Sequence, residues 1–306
     1  MKLTLIENFR ALFYAPFYAA LELGAYRAEG LDVDMITPEG AARSIEMLAA
    51  GTGEVSWGGP LRVILAHDKD PASDTVAFCE VVGRDPFFLI GREPNPSFSL
   101  ADLLGKRVGI TTEVPTPWIC LQRDLQLAGI DPSTITRGPP RTMAGNSEAL
   151  RAGEVDVIQL FQPYARNVLD DGAGHLWYAA ASRGLCCYTT LNTTRRFIRE
   201  HPQTLLGMTR AIYRTQKWIH AHSGAQLAAV VAAYLSHVPA GVLARCFDEY
   251  KSLGVWSRDP SVKRAGIEWK RDAMLETGTI KQGLEYEDYV DPSFGESVVR
   301  EDPPSI

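Results

Sequence analysis

SIEMLAAGTGEVSWGG (residues 44–59) and NSEALRAGEVDVIQL (residues 146–160) are the two stretches on which the fold turns. Each reads as a helix, a glycine, Glu-Val and then an apolar strand. In the first, Ile45, Leu48 and Ala49 share one helical face, and Gly51 closes it. The echo fits two lobes built on one plan, and it also fits the ordinary grammar of α/β chains. Upstream, KLTLIE is a strand, and residues 14–29 place Phe17, Leu21 and Tyr26 at helical spacing before Gly30. LDVDMIT is a second strand, residues 40–50 a second helix, EVSWGG a third strand, and PLRVILAHD a helix opened by Pro60. Strands separated by helices in this rhythm predict a parallel sheet with right-handed crossovers.

The pattern then changes. TVAFCEVVGRDPFFLIGR (75–92) is β-rich and broken at Gly83–Pro86, so it is two strands meeting at a turn or one interrupted strand. EPNPSFS reads as a linker, and a second α/β unit follows. Ser99 caps LADLLG, KRVGIT is a strand, a helix runs to Gly129, Thr134–Arg137 is a short strand, and residues 146–152 lead into EVDVIQLF. After LWYAAAS, RGLCCYTTLNTT is again β-type, and beyond Arg195 the chain is helical, at 202–222, 224–236 and on to about residue 276. The last dozen residues read as a loose polar tail. Two β-rich segments thus flank the middle unit. The predicted fold is α/β and two-lobed. Lobe 1 is discontinuous (1–90 and 188–306) and lobe 2 is inserted (91–187). Each holds a mixed, mainly parallel sheet with flanking helices, and two crossing strands act as a hinge.

Composition removes several classes. The chain has 306 residues, is 45% hydrophobic and 22% charged, and carries 31 Lys plus Arg against 37 Asp plus Glu, a net −6. An apolar share of this size argues for folded domains rather than disorder. A mildly acidic chain without a cationic run is a poor partner for nucleic acid or anionic membrane. No apolar stretch reaches the roughly 18–20 residues that span a bilayer. Met1-Lys2-LTLI-Glu7 lacks the form of an export signal, so the chain as written is expected in the cytoplasm, or else begins after a removed leader. The five cysteines, Cys79, Cys120, Cys186, Cys187 and Cys246, show no metal-ligand spacing, so neither a disulfide framework nor a structural metal is expected.

Ligands of open α/β sheets sit beyond the carboxyl ends of the strands. That rule selects Asn8, Arg10, Phe13 and Tyr14 after strand 1, Glu39 and Gly40 after strand 2, and Trp57, Gly58 and Gly59 at strand 3. In the second unit it selects Thr111, Thr112 and Trp118, then Gln162, with Tyr188 and Asp85 on the two crossings. Aromatic plates with neutral polar groups suit a flat heterocycle or aromatic compound. Phe13 and Tyr14 also fit helix packing, Trp57 can face either way, and Trp118 is partly core. Gly58-Gly59 serves a tight turn or a close backbone approach to ligand. Thr111-Thr112 also fits a helix cap. Arg10 would grip a carboxylate or sulfonate if it faces the cleft, and is surface otherwise. Asp85 would accept from an amino-pyrimidine edge, or is simply a turn residue before Pro86. Catalytic constellations are thin: no histidine falls at these strand ends, and Cys187–Asp85 or Cys186–Glu39 are the only nucleophile pairs to suggest themselves.

NFRALFYAPFYAALELGAYRAEGLDV, SIEMLAAGTGEVSWGG, SLADLLGKRVGITTEVPTPW, LQLAGIDPSTI, ALRAGEVDVIQLFQP and YEDYVDPSF together give the chain a resemblance. It resembles the periplasmic solute-binding proteins of ABC transporters, in the nitrate, sulfonate, taurine and thiamine-pyrimidine-precursor branch. The resemblance implies a type II two-lobed fold with a ligand cleft and hinge closure. One relative in that branch is a fungal pyrimidine synthase using pyridoxal phosphate. Its cofactor lysine and histidine fall at Gly59 and Val63 here, and its cysteine run is reduced to Cys186-Cys187, which disfavours that chemistry. A sulfinate desulfinase of the same fold has a cysteine in the strand 1 loop, whereas this chain has none before Cys79. Dehydratase and cyclising enzymes of the futalosine menaquinone route share the fold too, and they keep an enzyme reading open.

The expectation is therefore a solute-binding component of an ABC-type uptake system. It would close on a small aromatic or heterocyclic ligand (pyrimidine-like, carboxylate or sulfonate), using no cofactor and no metal. An ABC permease would be its partner, and the protein itself a monomer or weak dimer. The alternatives are a cytoplasmic enzyme on the same fold, acting through Asp85, Glu39 or a cysteine such as Cys187, and a ligand sensor.

Overall fold

A computed structural model describes residues 1–38 and 43–306. Glu39 and Gly40, expected after the second strand, lie outside the described residues. Among the described residues ten strands are formed. They are β1 (Lys2–Ile6), β2 (Asp32–Ile36), β3 (Val55–Gly58), β4 (Thr75–Val82), β5 (Phe88–Gly91), β6 (Arg107–Gly109), β7 (Thr136–Arg137), β8 (Val157–Leu160), β9 (His175–Ala179) and β10 (Thr189–Thr194).

The chain divides into two compact units. The first comprises Met1–Arg84, Leu185–Asp272 and Ile280–Ile306; the second comprises Asp85–Gly184 and Ala273–Thr279. The expected cut at 90/91 falls inside β5, whose hydrogen bonds go to β8 and β9 of the second unit. Cys186, Cys187 and Tyr188, at the other expected cut, belong to the first, where the Cys186 and Tyr188 amides donate to Gly83 and Val82 carbonyls. Residues 273–279 return to the second unit, anchored by an Arg123–Glu276 ion pair at 2.7 Å. Helical periodicity runs unbroken through the helix Arg264–Glu276, so it carries no sign of that return.

In the first unit the strand order is β2-β1-β3-β10-β4. β1 is parallel to β2 and β3, and β10 is antiparallel to β3 and β4. The second sheet runs β7-β6-β8-β5-β9, with β6 parallel to β7 and β8, and β5 antiparallel to β8 and β9. The plan is the same in both: three parallel strands with the first in the middle, one antiparallel strand, then an outer strand. β3 and β8, the two strands of the sequence echo, occupy the central position of their sheets.

Residue chemistry explains the elements. All eight positions of β4 (TVAFCEVV) are buried, as expected of a strand covered on both faces. All six of β10 (TTLNTT) are buried too, its β-branched residues suit a strand, and the hydroxyls of Thr190, Thr193 and Thr194 find partners. Thr193 Oγ1 donates to the Glu54 carbonyl at 2.8 Å, and Thr190 Oγ1 to Asn192 Oδ1 at 2.7 Å. The single helix expected over 14–29 is broken: Gly24, at φ 71°, separates Ala15–Glu22 from Ala25–Ala28. The expected C-terminal tail is the helix Ser293–Glu301, which buries Phe294 and Val298. A core of Leu89, Leu103, Val108, Leu121, Leu125, Ile135 and Val157 organises the second unit. Each such fully buried aliphatic side chain contributes roughly 1.5–3 kcal/mol. Among the described residues no helix is long and apolar enough to cross a membrane.

Candidate functional site

In the first unit, β1 runs into residues 7–11 and then the helix Ala15–Glu22, which brings its aromatic residues against β3. Trp57 is fully buried. Its ring lies 4.5 Å from Phe17 and parallel to it, with the rings of Tyr14 and Tyr18 edge-on. Phe13 is 1% exposed and sits edge-on to Tyr188 at 5.7 Å. Both rings are thus packed by other core rings rather than left as open plates. Phe9 is the partly buried member of the cluster, edge-on to Phe13 and Tyr14.

Polar groups thread this cluster. Asn8 Nδ2 donates to Tyr14 Oη at 3.0 Å, and Ser44 Oγ donates to Asn8 Oδ1 at 3.4 Å. Burial, partly offset by Asn8, pushes the Tyr14 hydroxyl up to about 12, so it stays protonated and able to donate. Tyr188 has the ammonium of buried Lys270 over its ring at 5.3 Å.

The expected anion grip of Arg10 is turned inward. Its Nε and Nη2 each donate to Glu7 at 3.0 Å, and its Nη1 donates to the Tyr234 carbonyl at 3.0 Å. Glu7 is fully buried and also accepts from Tyr18 and Thr37, so it demands this cation. A different arginine stands at the end of β3. Gly58-Gly59-Pro60 opens the helix Leu61–Lys69, and Arg62 lies in its first turn, half-buried, beside Tyr14 and Tyr188. A side chain at Gly59 would press on the Tyr188 carbonyl at 3.2 Å, whereas a Cβ at Gly58 would make ordinary contacts with Arg62, Asn8 and Ser44 at 3.7–3.8 Å. Sequence reasoning passed over Arg62, although a base three residues after Gly-Gly was there to be read.

In the second unit, a cavity of about 750 Å³ opens beyond the carboxyl ends of β6 and β7. Thr111, Thr112 and Trp118, all expected, line it, joined by Gln122, Arg137 and Thr279, which were not. The helix Thr116–Leu127 positions Trp118 and Gln122 one turn apart. The Arg137 guanidinium lies 5.6 Å above the Trp118 ring, and among the described residues it makes no ion pair. Thr111 donates to Glu113, and Thr112 Oγ1 donates to the Arg141 carbonyl at 3.2 Å. Gln162 is buried and does not line the cavity, and its Oε1 accepts from the Arg166 amide at 2.8 Å.

Asp85 and Cys187, of the first nucleophile pair suggested by sequence, are each buried and engaged with other partners, and Glu39 of the second lies outside the described residues. Asp85 is fully buried and held by Arg183 Nη1 at 2.5 Å and by the Phe87 amide at 3.0 Å. Arg183 also grips Asp124, from Nε at 2.9 and 3.0 Å. Cys187 is buried at φ 41° and interacts with Glu80, and burial first, then Glu80, pushes its thiol well up. It is therefore a protonated, inaccessible thiol. Cys186 is buried as well.

Comparison with known proteins fits this architecture. YtlA of Bacillus subtilis (strain 168), named as a binding protein, is 24% identical over 302 residues, covering 98% of this chain and 90% of its own length. The periplasmic aliphatic sulphonate binding protein SsuA from Escherichia coli superposes with a TM-score of 0.76 at 17% identity, over 94% of this chain and 97% of that one. The alkanesulfonate-binding protein SsuA from Xanthomonas axonopodis pv. citri, bound to MOPS, gives 0.69 at 16% identity, over 92% and 94%. At these identities the two structures establish the shared fold, the mixed α/β periplasmic-binding-protein architecture. The model of the family described as NMT1/THI5 like matches residues 13–225, more than half of the chain, and the chain belongs to that family.

Proposed function

We propose that this chain is the solute-binding component of an ABC-type uptake system, taking a small ligand with an aromatic or heterocyclic ring and an acidic group. The observation that carries this reading is the second unit's cavity, where Trp118 offers an indole face and Arg137 a guanidinium that makes no ion pair among the described residues. Its volume falls within the ~300–1,000 Å³ of small-molecule sites. Indole and guanidinium both stack on planar rings, and guanidinium also pairs a carboxylate or sulfonate bidentately. Thr111, Thr112 and Gln122 add neutral polar edges. The sulfonate-binding names of the two SsuA structures support an acidic ligand and a permease partner. The burial of a protonated Cys187 and the pairing of Asp85 with Arg183 speak against these two groups as the actors of the enzyme alternative.

The test is titration calorimetry with benzoate, benzenesulfonate and cytosine, alongside native mass spectrometry of the purified protein. At least one ring-bearing compound should bind and be recovered unaltered. Trp118→Ala should weaken it by about tenfold or more, ~1.4 kcal/mol. Chemical conversion of the bound compound, or an unchanged affinity in Trp118→Ala, would count against the proposal.

A further inference from the structure

A threonine hydroxyl has one hydrogen to give and two lone pairs to receive with. Three threonines line the second unit's cavity, Thr111, Thr112 and Thr279, and each spends its hydrogen inside the protein. Thr111 donates to the Glu113 carboxylate, whose other oxygen accepts from the Met143 amide at 2.8 Å. A hydroxyl bonded to an ionised acceptor is held more strongly than a neutral pair, which keeps that hydrogen in place. Thr112 Oγ1 donates to the Arg141 carbonyl at 3.2 Å. Thr279 reaches this unit on the returning segment 273–279. Its neighbour Thr277 donates to the Ala273 carbonyl at 2.8 Å, with the Met274 carbonyl a longer second acceptor at 3.3 Å. That uses the only hydrogen of Thr277, so in the 2.8 Å contact between the two hydroxyls the donor is Thr279.

What these hydroxyls keep for a ligand is lone pairs. Among the described residues Thr112 Oγ1 and Thr279 Oγ1 accept nothing, and Thr111 Oγ1 accepts only from the Glu113 amide at 3.4 Å. The cavity's donors are different groups. The side chains of Arg137 and Gln122 make no hydrogen bond among the described residues. An acidic group on the ligand answers Arg137. It cannot answer the threonines, because a carboxylate or sulfonate brings only acceptors. A ring with no polar hydrogen would cover those hydroxyl oxygens and strip their water without replacing it, at a cost in affinity.

We propose that the ligand of this cavity is an aromatic acid whose ring also carries a hydrogen-bond donor, an amino or hydroxyl group, received by Thr112 and Thr279. The inference rests on the reading of the cavity as an aromatic-acid site and narrows it. Ring acids that are unsubstituted, or that carry only methyl groups, are the poorer ligands.

The test is calorimetric titration of the intact protein with 3- and 4-aminobenzoate and 3- and 4-hydroxybenzoate. Each is set against the methylbenzoate of the same substitution, whose methyl group has a similar size and no polar hydrogen. 4-Aminobenzenesulfonate against 4-methylbenzenesulfonate makes the same comparison for a sulfonate. In at least one pair the donor-bearing acid should bind about fivefold or more tightly than its methyl counterpart. The double variant Thr112→Val with Thr279→Val should bring that ratio close to one, and Thr279→Ser, which keeps the hydroxyl, should preserve it. Melting temperatures show whether the variants are folded, and the wild-type ratios decide the matter if the double variant is not. Equal affinities within every pair, or a ratio that persists in the folded double variant, would overturn the donor requirement and leave the aromatic-acid reading standing. Binding by none of these compounds would instead overturn that reading and this inference together.

Discussion

Replacing Arg183 by Met keeps the aliphatic stem and removes the charge from a buried acid pair. The Arg183 side chain is 5% exposed, Asp85 0% and Asp124 8%. Burial opposes the Arg183 charge, but Asp85 and Asp124 more than offset it, so the cation is held well above its ordinary range. Without it, Asp85 keeps the Phe87 amide as a hydrogen-bond donor, and Asp124 loses the contacts from Nε and Nη2. Breaking a buried pair on one side costs ~3–5 kcal/mol, and two acceptors are stranded here, so the upper half of that range is expected at pH 7. The loss should shrink toward pH 5. Burial, working against Arg183, already raises the Asp124 carboxyl, and removal of the guanidinium raises it further, so the acid takes up a proton and sheds its stranded charge. Urea unfolding followed by circular dichroism measures the change, read as a shift in midpoint at constant slope. Adding Asp85→Asn and Asp124→Asn to Arg183→Met should recover most of the stability. A loss below ~1 kcal/mol, or no recovery in the triple variant, would refute the view that Arg183 compensates two buried acids.

Two further outcomes follow from local geometry. Hydrogen bonds from Arg107 hold the Asp156 carboxyl down to about 2 from its ordinary 3.8, so its stabilisation is complete above about pH 4 and lost as pH falls through 2. Asp156→Asn should therefore flatten the decline of unfolding free energy between those values, and parallel curves for variant and wild type would exclude the pairing as its source. Gly91→Ala puts a Cβ 2.0 Å from Trp177 Cε2, which must expel the indole and break its 2.7 Å bond to the Glu93 carbonyl. The cost should be ~1–3 kcal/mol with a red-shifted tryptophan emission, largely relieved by Trp177→Ala; an unshifted spectrum would show that the strand gives way instead.

The sequence by itself determined the α/β class and the alternation of strands and helices, because these follow from local periodicity and glycine stops, whereas it left the common plan of the two units open until the sheet orders showed it. The echo of residues 44–59 and 146–160 marks the central strands β3 and β8. It also placed Thr111, Thr112 and Trp118 at a cavity, since a strand followed by a helix start is a local signal. The tertiary structure decided the partners. Arg10 looked like a free cation because its acceptor, Tyr234, is 224 residues away and Glu7 shows its burial only in the folded chain. Asp85 meets Arg183 across 98 residues, and Phe13 and Trp57 lose their open faces to rings brought from elsewhere in the first unit. Arg137, which makes no ion pair among the described residues, emerged for the converse reason. Whether a charge lacks a counter-ion depends on every element packed around it, and a linear chain does not carry that information.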